Sequence, residues 1–337
     1  MGDKRSVLKI LKNQPMKIYS AAFIALIISQ LSSCTSQKQL SADQQKTYAE
    51  ISVKEGGKWN GRKYEGGTWK NVQSHTLNPL HTDHSFDIRY EGPGWESNKI
   101  AYRLYLDWRN AIDIFGKTSE KIILRQVGLD GFDSYHLKQE WGSDILKVGK
   151  GQGLGSIARI VDGKMYHFEN VDKTTADVEN SSKSSSVSIN YNGWKTLDDK
   201  IDLKAKLSIF PEERFTKYTF TPSKGIAGIA TGIVKLKNLE LIQKKSANGK
   251  WGYIATFGNQ SMFDDGLGMA VFYETSAVSE VKDGPFDHLI VFRPTTKAVT
   301  YYFTASWEKE QDALKTQEEF LNYLNSKLDQ LNSKNKL

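Results

Sequence analysis

The sequence predicts an all-β protein: one large antiparallel β-sandwich followed by a C-terminal amphipathic helix. Three observations carry this. Short apolar–polar alternations recur from residue 86 onward, separated by Gly, Asn, Asp and Pro. No helical pattern comes between them. Beyond residue 308 the apolar residues switch to helical spacing. The chain has 337 residues, 39% apolar and 25% charged, enough to bury a substantial core. That composition excludes a disordered or collagen-like chain. The single cysteine excludes an internal disulfide and a cysteine-built zinc cage.

At the N-terminus, residues 21–28 (AAFIALII) follow Lys4, Arg5, Lys9, Lys12 and Lys17, the order of a secretory signal. The run is too short to span a bilayer comfortably. It ends in Leu31-Ser32-Ser33-Cys34, the form of a bacterial lipobox. A signal peptide is therefore expected over 1–33, with Cys34 lipidated and anchoring the protein to a membrane. Residues 34–55 read as a polar tether, and 56–337 as a single sandwich domain with its helix at 308–334. The expected location is the outer membrane, facing the periplasm. The net charge of +7 includes five Lys/Arg against one Asp in residues 1–33, which leaves about +3 for the mature chain. That excess is weak evidence for nucleic acid, and export argues against such a partner. It suits a protein that handles anionic sugars.

The clearest strand is 100–108. Ile100, Tyr102, Leu104, Leu106 and Trp108 share one face, and Arg103, Tyr105, Asp107 and then Arg109 share the other. Residues 86–90 alternate in the same way. Further strands are expected at 186–191, 201–210, 215–220, 226–236, 251–257, 268–273, 288–292 and 298–307. Asn192-Gly193, Asn248-Gly249 and Asp265-Gly266 supply turns. In the helix, Leu314, Phe320, Leu321, Leu324, Leu328 and Leu331 make one apolar face.

Candidate chemistry is sparse. The His81-Thr82-Asp83-His84 segment is the densest polar group; as a turn it can ligate a metal, whereas an extended chain turns its histidines apart. No ligand spacing is strong enough to require a metal, and no cofactor is expected. One of these histidines is suited to general-base work near neutral pH. The Arg103–Arg109 face, beside Glu91 and Glu96, is either a solvated sheet surface or an oligosaccharide cleft. The Gly-rich segment 149–156 (GKGQGLGS) lacks the ending of a phosphate loop, and no G-x-S-x-G or H-E-x-x-H occurs.

The run Glu91-Gly-Pro-Gly-Trp95-Glu96, then Tyr102-Arg103-Leu-Tyr105-Leu-Asp107-Trp-Arg109-Asn110 and Asp113-Ile-Phe-Gly-Lys117, carries a resemblance. With the segments 130–136 and 141–144, it resembles a family long described only as a domain of unknown function and encoded beside polysaccharide-degrading enzymes. Within that family it is most similar to ulvan oligosaccharide dehydratases. The resemblance implies a sandwich of the sugar-mutarotase supersandwich type. It also implies a carbon–oxygen lyase that removes water across carbons 4 and 5 of a saturated uronic acid next to sulfated rhamnose. That chemistry needs a base, for which His84 is the first choice and His136 or Tyr105 the second. It needs an acid for the leaving hydroxyl, assigned to Glu96, and a cation at the uronate, assigned to Arg103 or Arg109 with Lys117 in support. Trp95 and His136 complete the expected substrate contacts. The alternatives are a non-catalytic binder of anionic oligosaccharides and a polysaccharide lyase or epimerase.

Overall fold

A computed structural model of the chain describes residues 45–131, 134–237 and 239–337. The signal segment, Cys34 and residues 35–44 of the expected tether lie outside them. The rest of that tether does not behave as one. Thr47–Glu55 is a largely buried strand in the middle of a sheet, because Ala49, Ile51 and Val53 alternate into the core.

Among the described residues, three large sheets make up the body, beside a two-stranded hairpin of Lys58–Asn60 and Lys63–Glu65. The largest has nine antiparallel strands, in the order Ile242–Lys245, Trp251–Asn259, Gly266–Glu274, Val299–Trp307, Thr216–Pro222, Asp199–Ile209, Ser185–Thr196, Lys173–Asn180 and Ser74–Thr76. A six-stranded sheet runs Thr68–Val72, Thr47–Glu55, Gly94–Ser97, Ala101–Leu104, Ile112–Lys117 and Gly142–Asp144. A five-stranded sheet runs Lys164–Tyr166, Leu154–Val161, Ile229–Val234, Asp287–Phe292 and Val278–Asp283. The two smaller sheets share the inner face of the large one. Ile51, Tyr102 and Ile114 from one, and Ile157 and Ile290 from the other, join Leu203, Ile254 and Phe303 in a single apolar core. A parallel bridge between Ile112 and Gly153 links them. Gly153 is required there: its φ is +72°, and a Cβ would lie 1.8 Å from the Ile112 carbonyl oxygen.

Strand Val299–Trp307 shows how alternation sorts the layers. Tyr301, Phe303 and Ala305 enter the sandwich core, while Tyr302 points outward against the helix. The helix, Gln317–Lys334, buries Phe320, Leu324, Leu328 and Leu331 on that outer face. It begins nine residues later than expected because Thr316 and Glu319 form a reciprocal capping box, with N–H···O distances of 3.0 and 3.1 Å. The all-β sandwich with one terminal helix is the fold the sequence predicts.

Local expectations fail in two further places, on the large sheet and beside the six-stranded one. Asn192-Gly193 is a bulge within a long strand, and the hairpin turns later, at Leu197-Asp198. Residues 86–90 form no strand. Four of the eight residues from His84 to Glu91 have positive φ: His84, Phe86, Tyr90 and Glu91.

Candidate active site

The irregular segment 84–91 and the end of the six-stranded sheet bring most of the expected polar residues together. Strand Ala101–Leu104 stops early. The chain then turns through residues 105–111, and Asn110 takes a φ of +49°. This turn brings Arg103 opposite Asp113 on the neighbouring strand. The polar face expected at a surface is therefore inside the protein, covered by residues 123–127 and Tyr135.

Arg103 is nearly fully buried. Its Nη2 donates to Asp113 Oδ2 at 2.8 Å, to Asp144 Oδ2 at 2.6 Å and to the Tyr105 hydroxyl at 3.0 Å. The Tyr105 hydroxyl in turn bonds Asp113. Burial, aided by the charge of Asp144, pushes Asp113 up to about 7, so this carboxyl keeps a proton near neutrality. Burial raises Tyr105 well above the usual phenol value, so its hydroxyl is protonated at neutral pH. His136, with its side chain 35% exposed, lies 3.1 Å from Asp144 and links the buried pair to solvent.

Arg109 lies toward the surface, with its side chain 15% exposed. It chelates Asp107 and reaches Glu91 Oε1 at 3.1 Å and Asp83 Oδ1 at 2.8 Å. Its guanidinium lies over the Tyr105 ring, 4.2 Å from the centroid. Burial opposes the charge of Asp83, yet Arg109 and the bond from His84 hold its carboxyl below the ordinary value. His84, half exposed, places Nδ1 2.5 Å from Asp83 and its backbone N–H 3.2 Å from Glu91 Oε1. Asp83, His84 and Glu91 offer ligand atoms within 4.8 Å of one another and so can hold a divalent cation. Arg109 already places a positive charge on both carboxylates.

The strained backbone is anchored from below. Tyr90 donates to the buried Glu50 at 2.6 Å, Arg89 pairs with the same carboxylate, and His81 Nδ1 meets Asp87 at 2.8 Å. Each positive-φ residue costs about 1–3 kcal/mol, which these buried bonds offset. Gly92 is needed where the segment leaves, since a Cβ would lie 1.9 Å from the Leu104 carbonyl oxygen.

Of the residues expected to act, His84, Arg103, Tyr105 and Arg109 converge, and His136 joins through Asp144. Trp95, Glu96 and Lys117 do not. Glu96 and Lys117 are fully buried and paired at 2.9 Å, and Glu96 accepts the backbone N–H of Ile123 at 2.9 Å and of Leu124 at 2.8 Å. Every strong acceptor site on Glu96 is filled, so the leaving-group role expected of it is corrected. Lys117 is likewise committed to Glu96 and to the Ser97 carbonyl. Trp95 is buried with its indole N–H 2.8 Å from Thr216 Oγ1, so it offers no stacking surface. Sequence reasoning missed Asp83, Asp113 and Asp144 as members. Asp113 was findable: it lies opposite Arg103 once residues 105–111 are read as a turn rather than as strand.

Residues 29–337 match the family model described as "Domain of unknown function (DUF4861)". The chain belongs to this family. No protein of curated function matches it. Among solved structures, this DUF4861 protein is similar to a Klebsiella pneumoniae protein assigned as an aldose 1-epimerase, at 7% identity and a TM-score of 0.35, over 72% of this chain and 84% of that one. It is also similar to a TPR-domain protein of Parabacteroides distasonis, at 6% identity and a TM-score of 0.30, over 77% and 54% of the two chains. The 4-alpha-glucanotransferase of Thermococcus litoralis matches at 11% identity and a TM-score of 0.30, over 66% and 38%. At these values none of them lends the DUF4861 site an activity.

Proposed function

We propose that this DUF4861 protein is an exported, lipid-anchored hydro-lyase that dehydrates the saturated uronic acid at the non-reducing end of ulvan oligosaccharides. One observation carries the proposal. A half-exposed histidine, oriented by Asp83 and 3.7 Å from Glu91, is joined through the 3.8 Å Glu91–Arg103 ion pair to a buried carboxyl, Asp113, that burial raises to about 7. Elimination needs that combination of base and acid.

In the proposed step, the Nε2 atom of His84 takes the proton from carbon 5. The C–H electron pair becomes the double bond between carbons 4 and 5. The C–O bond at carbon 4 breaks, its electron pair stays on oxygen, and that oxygen leaves as water with the proton of Tyr105. Asp113 returns a proton to Tyr105. Arg109 faces the substrate carboxylate as charge builds up next to it. Tyr105 thus replaces Glu96 as the proton donor.

The test incubates the purified protein with saturated ulvan oligosaccharides and follows ultraviolet absorbance together with product mass. Dehydration gives an unsaturated-uronate band and the loss of one water at constant chain length. Shortened chains mean a lyase, and an unchanged ligand that stays bound means a binding protein. Either result overturns the proposal.

A further inference from the structure

The catalytic cluster is short of positive charge. Among the described residues, Asp83, Glu91, Asp107, Asp113 and Asp144 face only two guanidiniums, and even with Asp113 protonated the carboxylates outnumber them. An anionic oligosaccharide needs cations close by but outside this cluster.

They line a groove that begins one residue away, at Trp108. Trp108, between Asp107 and Arg109, borders a groove of about 380 Å³ lined also by Lys150, Lys164, Met165, His167 and Phe286. Among the described residues, no carboxylate lines it. Trp108 and Phe286, each 38% exposed, are the only exposed Trp and Phe among the described residues. A second hollow of about 370 Å³ shares Lys150 and Phe286 and adds Lys147 and Lys235. Lys147, Lys150 and Lys164 form no ion pair with any described residue. Exposed rings flanked by unpaired ammonium groups suit a sugar ring that carries an anion: the ring stacks, and the charges meet.

The groove is also tied to the catalytic cluster. His167 is buried, and burial lowers its pKa against its bonds to backbone, which raise it. Its Nδ1 bonds the Arg109 carbonyl at 3.1 Å, it also bonds the Lys150 backbone, and its ring meets Trp108 edge-on at 5.8 Å. One side chain therefore fixes the Trp108 and Lys150 loops against each other. We infer that this groove is a subsite for a second, sulfate-bearing sugar ring of the same oligosaccharide, which seats the terminal uronate at Arg109 and His84. The inference rests on the proposed ligand class but not on its turnover.

Its test is calorimetric titration of the purified protein and of the variants Trp108→Ala and Lys150→Ala/Lys164→Ala. The probes are ulvan oligosaccharides, chemically desulfated ulvan oligosaccharides and phosphatidylglycerol vesicles. The side chains are exposed, so unchanged melting of both variants is expected. Each variant should raise the Kd for the sulfated probe about tenfold or more, and desulfation should weaken wild-type binding similarly. Salt should weaken the wild type more than the double-lysine variant. Wild-type affinity in both variants, no wild-type binding, or Trp108-dependent capture of vesicles instead of sugar would each overturn the subsite. The two proposals fail separately. Groove-dependent binding without loss of water leaves the subsite and removes the dehydratase; turnover with variants that bind normally does the reverse.

Discussion

His84 and Tyr105 divide the proposed reaction between two side chains whose packing differs, so their variants separate chemistry from folding. His84 is half exposed and lies on a strained loop. His84→Ala is expected to cut the dehydration rate about 10²–10⁴-fold while the thermal unfolding curve stays where it is. An unchanged rate removes His84 as the base. Tyr105→Phe keeps the ring beneath Arg109 and deletes only the hydroxyl that bonds Asp113. It should lower kcat by a similar factor with little change in KM. Asp113 sets the pH response. Its carboxyl must be protonated to recharge Tyr105, and burial next to Asp144 pushes it up to about 7. The rate should therefore fall as pH rises through that value. Asp113→Asn should lose most of the rate and with it the alkaline limb, which a kcat–pH profile would show.

At the scale of elements, the Glu96–Lys117 pair fastens three pieces of chain. Glu96 lies on strand Gly94–Ser97, Lys117 ends strand Ile112–Lys117, and the carboxylate also caps the N–H groups of Ile123 and Leu124. Lys117→Met leaves a buried carboxylate without its cation, so a loss of about 3–5 kcal/mol in stability is expected by denaturant titration. Lys117→Met/Glu96→Gln should recover part of it, because the remaining amide can still accept the two N–H bonds. A Glu96→Gln variant that melts normally yet has lost its activity would restore Glu96 to the mechanism. The strands were largely legible in the sequence, because period-two alternation in runs such as 201–210 and 298–307 survives packing on one or both faces. The site was legible only in part. A strand whose two faces are both buried, such as Ala101–Leu104, gives the same alternation as one that faces water. Arg103 could therefore be read as surface charge although it is sealed among carboxylates. Residues 84–91 misled for a different reason. Their apolar residues alternate, but positive φ at four positions breaks the strand, and bonds from Arg89 and Tyr90 to the distant Glu50, with the local His81–Asp87 bond, hold it broken.

For the whole molecule, buried acids set the pH at which the fold is most stable. Asp113, Asp287 and Glu310 each sit at about 7, raised first of all by burial. Between the ordinary carboxyl value near 4 and about 7, the native state holds protons on these groups that the unfolded chain has released. Stability should therefore decline as pH rises through that window. Asp83, Asp199, Glu212 and Asp312 act in the opposite sense. Their cationic partners hold them below the usual carboxylate range, and their contribution is lost on acidification below about pH 4. The maximum should thus fall on the mildly acidic side of neutrality. Asp287 isolates the first effect, because it takes no part in the proposed chemistry. Its Oδ1 accepts the Gln152 N–H at 2.8 Å, and its buried Oδ2 has no hydrogen-bond partner among the described residues. Asn at this position can keep the Gln152 bond and cannot ionise. Asp287→Asn is therefore expected to narrow the gap in Tm between pH 5 and pH 8, chiefly by raising the value at pH 8. If the gap matches wild type, the ionisation of Asp287 is not what lowers stability at alkaline pH, and the decline belongs to Asp113 and Glu310.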